Sequence, residues 1–276
     1  GQLLTLFHRR PAPHCACGDH GRLWIEPYGN WLKEKNLGYE VGFNAQSKGV
    51  AGGVDGELAD GWVLGFGGAW NDTHMWWHRG QGHSSISGYY GSIYTDYTTE
   101  NFYLGVSCLA GFDRCFSSRH IRFSTIDEHA NATRHNLELM GQLSAALFFG
   151  PSFCFAFPYL NIDYFYLKEK EARESGAPGL NLTVNEHSNS TLRSEVGFAV
   201  QVQDTNRSET MCFSPLFGLG WAMEMPLNRP KYVATFEDQP IPFRTQGWDY
   251  TWQLFTLRFG INITYRCFSL SSSYVA

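Results

Sequence analysis

At 276 residues the chain is long enough for one large domain or two ordinary ones, so length alone excludes little. Composition excludes more: 17% charged and 16% aromatic residues with 29 glycines suit many twisted strands, not the Lys- and Glu-rich surface of a soluble helical protein. The formal charge is −5 and no basic run is longer than Arg9-Arg10, which removes the cationic footprint of a nucleic-acid binder.

A mean hydropathy of −0.28 is too polar for a helical membrane protein, whose spans are apolar all round. It does not exclude a transmembrane barrel, in which lipid-facing and lumen-facing residues alternate.

Gly1 to Phe7 is apolar but short, lacks a basic start and runs into His8-Arg9-Arg10-Pro11, so it does not read as a signal peptide. The chain is expected to be a piece of a longer precursor. Residues 1–21 are expected to form a linker or pore segment, with Pro11, Pro13 and Gly18 opposing a long helix. Residues 22–276 are expected to form one β-domain.

From residue 22 onward, runs of period two recur between turn clusters. Strands are predicted at 22–33, 39–55, 62–77, 84–97, 102–118, 132–149, 152–168, 188–203, 211–225, 248–265 and 267–276. In 102–112 an apolar set of Phe102, Leu104, Val106, Cys108, Ala110 and Phe112 opposes Tyr103, Gly105, Ser107, Leu109 and Gly111. In 135–149 Leu137, Leu139, Leu143, Ala145 and Leu147 oppose Asn136, Glu138, Gln142 and Ser144.

The uncharged stretch Gly141 to Ile162 could be mistaken for a spanning helix, but Gly150-Pro151 at its middle is a turn signal and predicts a hairpin. In 192–202 Val196, Phe198, Val200 and Val202 oppose Arg193, Glu195, Gly197, Ala199 and Gln201. In 254–265 Phe255, Leu257, Phe259, Ile261, Ile263 and Tyr265 oppose Leu254, Thr256, Arg258, Gly260, Asn262 and Thr264. A helix would scramble such sets, whereas a strand between lipid and a wet lumen separates them.

Short connections at Asp60-Gly61, 98–101, Gly150-Pro151, 204–210 and 266–267 alternate with longer ones near 78–83, 119–131, 169–187 and 226–247. This is the rhythm of an outer-membrane barrel with short periplasmic turns, and it makes the first strand run outward. The predicted fold is an all-β, transmembrane, antiparallel up-and-down barrel. Because such barrels close with an even number of strands, a twelfth is expected beyond the eleven. Trp76, Trp77, Tyr89 and Tyr90 suit an aromatic girdle at the membrane interface.

Several segments resemble the β-domains of autotransporters in order and spacing. They are Leu23 to Gly29, Gly38-Tyr39-Glu40, Gly49 to Asp55, Pro158 to Tyr164, Glu174 to Ala177, Leu180 to Val184, Leu192 to Gly197, and Ala234-Thr235-Phe236 through Pro242-Phe243-Arg244. The cysteine-bearing strands and aromatic loops are similar to the chlamydial polymorphic membrane proteins in particular. The resemblance implies a twelve-stranded translocator in the bacterial outer membrane, serving type V secretion. Its partners would be outer-membrane lipid, an N-terminal passenger polypeptide of the same protein and the barrel assembly machinery, with no nucleic acid. That machinery reads a terminal aromatic residue in this family, and Ala276 departs from the pattern.

Seven cysteines cannot all pair within one chain, and Cys15-Ala16-Cys17 lacks a second pair at zinc-site spacing. His74 and His78 resemble the zinc-helix spacing, yet the Glu that follows the first His of such a helix is absent. With His83 they read as exposed loop histidines. The Asn-x-Ser/Thr triplets, one of them at Asn262 inside a predicted strand, read as chance occurrences in an Asn- and Thr-rich chain. No Gly-x-Ser-x-Gly elbow occurs, so neither a catalytic group, a metal site nor a cofactor is expected.

The alternatives are an outer-membrane barrel enzyme of protease or phospholipase type, whose site would be assembled from separate strands, and a soluble β-sandwich adhesin. The candidate pore-lining residues are Glu26, Glu138, Gln142, Asp163, Arg193, Glu195, Gln201, Arg258 and Asn262. A cross-strand ion-pair network stiffening the wall explains the same residues, and the two readings are compatible.

Overall fold

The computed structural model describes residues 21–36, 41–151, 154–202, 211–228, 231–246, 251–265 and 268–275. In chain order its strands are β1 (Arg22–Lys33), β2 (Phe43–Ala59), β3 (Trp62–Trp77), β4 (Gly82–Thr98), β5 (Phe102–Phe123), β6 (Ile126–Leu147), β7 (Cys154–Glu169), β8 (Ala172–Arg173), β9 (Leu182–Val184), β10 (His187–Val202), β11 (Met211–Pro226), β12 (Lys231–Phe236), β13 (Gln239–Gln246), β14 (Trp252–Tyr265) and β15 (Phe268–Val275). Among the described residues the helical structure is one 3₁₀ turn, His78–Gly80. No described helix is long and apolar enough to cross a membrane.

Eleven strands form one antiparallel sheet in the order β1-β2-β3-β4-β5-β6-β7-β10-β11-β14-β15. Each strand of this sheet pairs with the next one in it along the chain, which is the up-and-down topology of a barrel wall; the predicted eleven strands correspond one for one to these elements, with β2 four residues later than predicted and predicted residues 39–40, 152–153, 203, 248–250, 267 and 276 outside the described residues. The expected twelfth is not among the described residues. Tight turns are made where glycine takes a left-handed φ, at Gly61 (φ 73°) and Gly150 (φ 116°). Gly150 confirms the hairpin reading of the uncharged stretch.

Hydrophobicity is arranged inside out. Phe198, Leu219, Phe112 and Phe255 are exposed on the outer face, while Asp55, Asp113, Asp163 and Glu195 are buried on the inner one. A soluble protein does not leave so many contiguous large apolar side chains in water; lipid is the solvent that such a face requires.

Trp70, Tyr89 and Phe112 pair in one cross-strand row on the outer face, and Trp62 packs on Tyr97 near the opposite end. Tyr89 and Trp76 are exposed as a girdle requires. Tyr90, by contrast, is buried on the inner face. Consecutive strand residues point to opposite faces, so Tyr89-Tyr90 and Trp76-Trp77 can each give only one ring to the girdle.

Three predicted loops are structured. β5 and β6 continue through 119–131 as a ladder as far as Phe123↔Ile126, turning at Ser124 with φ 52°. The connections near 169–187 and 226–247 supply a second sheet, in the order β13-β12-β9-β8. This sheet gathers the Glu174 to Val184 and Ala234 to Arg244 segments into one unit. Its loop docks on the barrel through a paired Arg119 and Glu174, and through backbone bonds between Asn131 and Ser175.

Aromatic rings lie across glycines on the inner face. An added Cβ at Gly65 would meet the Tyr94 ring at 2.1 Å, and at Gly53 the Trp24 ring at 2.7 Å. Tyr94 cannot swing away freely, because its hydroxyl donates to Asp55 (2.7 Å) and accepts from the Trp24 indole (2.8 Å). Gly65→Ala is therefore expected to cost about 1–3 kcal/mol, the usual penalty of overpacking. Gly91→Ala, where an added Cβ meets nothing within 4 Å, should be close to neutral when both are compared by urea titration of the refolded barrel.

Candidate functional site

The inner face is a set of cross-strand rows. One runs Tyr94, Ser107, Gln142, Asp163, Arg193, Glu224, crossing six strands from β4 to β11. The neighbouring row contains Asp96, Gly105, Ser144, Asn161, Glu195 and Ala222. Both rows are polar because strict alternation in every strand brings its polar positions to the same side of the sheet once the register is set.

The densest cluster centres on Glu195, whose side chain is 2% exposed. The Arg258 guanidinium donates Nη2 to both carboxylate oxygens (2.7 and 2.8 Å) and Nε to Oε1 (3.1 Å). The Tyr159 hydroxyl (2.9 Å) and the Thr256 hydroxyl (2.9 Å) donate to the same oxygen, while Arg193 Nη2 reaches Oε2 at 3.0 Å. The Arg258 guanidinium also lies 5.5 Å from the Tyr159 ring centroid.

Tyr159 is on β7, Glu195 on β10 and Arg258 on β14, so the cluster bridges over β11. Glycine makes room for that reach: a Cβ at Gly197 would meet the Tyr159 ring at 2.3 Å, and one at Gly220 would meet the Thr256 hydroxyl at 2.5 Å. A carboxylate so deeply buried is tolerable because every neighbour around it donates a hydrogen bond.

A second cluster joins Arg22 to Asp55 by two hydrogen bonds (3.0 and 2.8 Å), with Tyr94 and Trp24 completing the chain. A third places Glu138 against Asp113 and Tyr90, and the Asn136 amide donates to Asp113 at 2.7 Å. Towards the long-connection end, Glu169 on β7 takes His187 Nε2 at 2.6 Å and is also paired with Arg134. The Tyr232 ring from the second sheet packs T-shaped against the His187 ring, with centroids 4.4 Å apart. Because His187 and Arg119 both carry inner-face parity, their contacts set that sheet on the inner side of the wall.

Of the residues singled out from sequence, Arg193, Glu195 and Arg258 are brought into one cluster, and Gln142 and Asp163 face each other across β6 and β7. Glu138 belongs to the third cluster. Glu26 and Gln201 share the inner parity but stand apart from the Glu195 cluster, and Asn262 pairs with Ser214 by backbone register. The sequence candidates leave out Tyr159, Thr256, Asp55, Asp113 and Asn161, although strand parity, which already puts Thr256 on the polar face, finds them all when carried to every polar residue.

His74, His78 and His83 do not converge: His74 pairs with Asp72 at 3.1 Å, while the His83 ring lies against Phe116. Cys108, Cys115 and Cys154 are free thiols, and the Cys15-Ala16-Cys17 segment lies outside the described residues together with the rest of 1–20.

A model of the autotransporter β-domain family matches residues 23–274. The translocator domain of the autotransporter NalP from Neisseria meningitidis aligns with a TM-score of 0.67 at 13% identity, over 94% of this chain and 83% of that one. The β-domain of the Bordetella autotransporter BrkA aligns with a TM-score of 0.62 at 14% identity, over 94% of this chain and 93% of that one. At such identities the likeness to these structures is one of fold. Neither of the two is chlamydial. No curated protein sequence matches the chain.

Proposed function

Because the chain belongs to the autotransporter β-domain family, a family of outer-membrane β-barrels, we propose that its barrel is a passive conduit: an N-terminal passenger of the same protein crosses through the polar interior and is held at the cell surface. The observation that carries this reading is an inner face rich in buried polar side chains, which flank an apolar patch made by Leu109, Met140 and Phe165. An extended polypeptide presents N–H and C=O groups at every residue, and these need water or polar side chains at each step of the passage.

Glu26, Glu138, Gln142, Asp163, Arg193, Glu195, Gln201, Arg258 and Asn262 are the residues assigned to that lining. Residues 1–21 would tether the passenger to the wall. The short connections would lie in the periplasm, where the assembly machinery delivers the barrel to the lipid, and the second sheet would lie at the extracellular end, within the wall.

The test is a folded-reporter-free passenger, such as a short epitope-tagged linker, fused ahead of residue 1 and expressed with a secretory leader in a Gram-negative host. Protease added to intact cells is expected to remove the epitope while the barrel stays in the outer membrane. An epitope protected from protease in cells whose barrel is correctly inserted would overturn the conduit reading.

A further inference from the structure

The hairpin of β5 and β6 projects well past the outer apolar band, and its tip carries a cluster that the conduit does not use. His120 and His129 are cross-strand partners with ring centroids 4.4 Å apart and planes 8° from parallel. Asp127 is their diagonal neighbour on the same face, and its Oδ1 lies 2.6 Å from His120 Nε2. One donor atom from each of the three residues falls within 4.8 Å of the others. The geometry points to a site for a single divalent transition-metal ion of the zinc class, held by His120, Asp127 and His129 with water completing the coordination.

Two imidazole nitrogens and one carboxylate oxygen form a ligand set suited to zinc, with three protein ligands and an open position. The carbonyl of Gly80 lies 3.0 Å from His120 Nδ1, so it takes the Nδ1 proton. That leaves Nε2 as the nitrogen directed at Asp127, the arrangement by which a backbone carbonyl orients a ligating histidine. With Nδ1–H committed to Gly80, two acceptors face each other across the 2.6 Å contact unless a positive charge lies between them. A second ring proton fills that role in an imidazolium–carboxylate pair, and a metal ion can take its place between the same two atoms.

At metal–ligand distances of about 2.0–2.1 Å, ligand atoms on a tetrahedral centre are roughly 3.4 Å apart, so His120 and Asp127 separate slightly while His129 closes in. The two imidazole rings, stacked 8° from parallel, must turn out of the stack for their lone pairs to meet at one ion, and they do so on a solvent-exposed face. Arg122 competes for the carboxylate, with Nε 3.7 Å from Asp127 Oδ2. It opposes a cation at the site and gives the hypothesis a variant that should improve binding. The site is not the His74, His78, His83 group that spacing brings forward, and the proposal runs against the sequence expectation of no metal.

The experiment is a calorimetric zinc titration of the full chain refolded in detergent, with the cysteines alkylated so that thiols cannot compete. One zinc ion per chain is expected. His120→Ala and His129→Ala should each weaken binding by about tenfold or more, as loss of a ligand or its support does at other sites. Arg122→Ala should tighten it severalfold, a gain that misfolding cannot mimic. Absence of binding to the intact chain, or an affinity unchanged in both histidine variants, would overturn the assignment.

Discussion

Glu195→Ala is expected to destabilise the barrel by about 3–5 kcal/mol, the cost of removing one member of a buried ion pair. The loss is large because four partners lose contacts at once, Arg193 among them. Arg258, whose side chain is 17% exposed, loses all its carboxylate contacts, and Tyr159 and Thr256 lose their acceptor. Glu195→Gln keeps the shape and an acceptor oxygen but not the charge, so it should fall between alanine and wild type.

The double variant Glu195→Ala with Arg258→Ala should recover part of the loss, since the uncompensated guanidinium goes with its partner. Urea titration of refolding into lipid vesicles measures all three. If the single alanine variant costs less than about 1 kcal/mol, as an exposed pair would, water reaches the cluster and it does not hold the wall together.

The sequence made the two faces legible because lipid imposes a rule that is local in the chain. Wherever a strand crosses the apolar band, as at Phe102 to Phe112 or Val196 to Val202, the outward residue must be apolar while its neighbour is free to be polar. Beyond the band that pressure disappears. Arg119 to Asn131 forms a ladder but carries His120, Arg122, Asp127 and His129, so no apolar alternation marks it as strand. The short strands of the second sheet were invisible for another reason: Leu182–Val184 pairs with Lys231–Phe236, some fifty residues away, and three residues hold no pattern.

The candidate site divides in the same way. Parity put Glu195, Arg193 and Arg258 on the inner face, but their contact depends on register and on the width of β11 between them. That β11 can be bridged is owed to Gly197 and Gly220, whose missing Cβ atoms admit Tyr159 and Thr256. A run such as Gly49 to Asp55 could be noticed as a motif without its cause. The cause is spatial: the Tyr28 ring lies across Gly49 and the Trp24 ring across Gly53.

The outer face yields the second large effect. Phe198, Leu219 and Leu257 pair in one cross-strand row across β10, β11 and β14, and all three are exposed. Phe198→Arg or Leu257→Arg should each cost about 2–4 kcal/mol, because a guanidinium placed in hydrocarbon must be drawn to an interface or hydrated by a membrane defect. Gln201→Arg, three residues along the same strand and on the opposite face, should stay within about 0.5 kcal/mol of wild type, as substitutions at hydrated positions usually do. Only two residues lie between Phe198 and Gln201, so strand propensity and chain position are nearly matched and the solvent on each side is what differs. Equal costs at the two positions, in the same vesicle titration, would mean that the outer side chains do not face lipid. The inside-out arrangement would then need another cause.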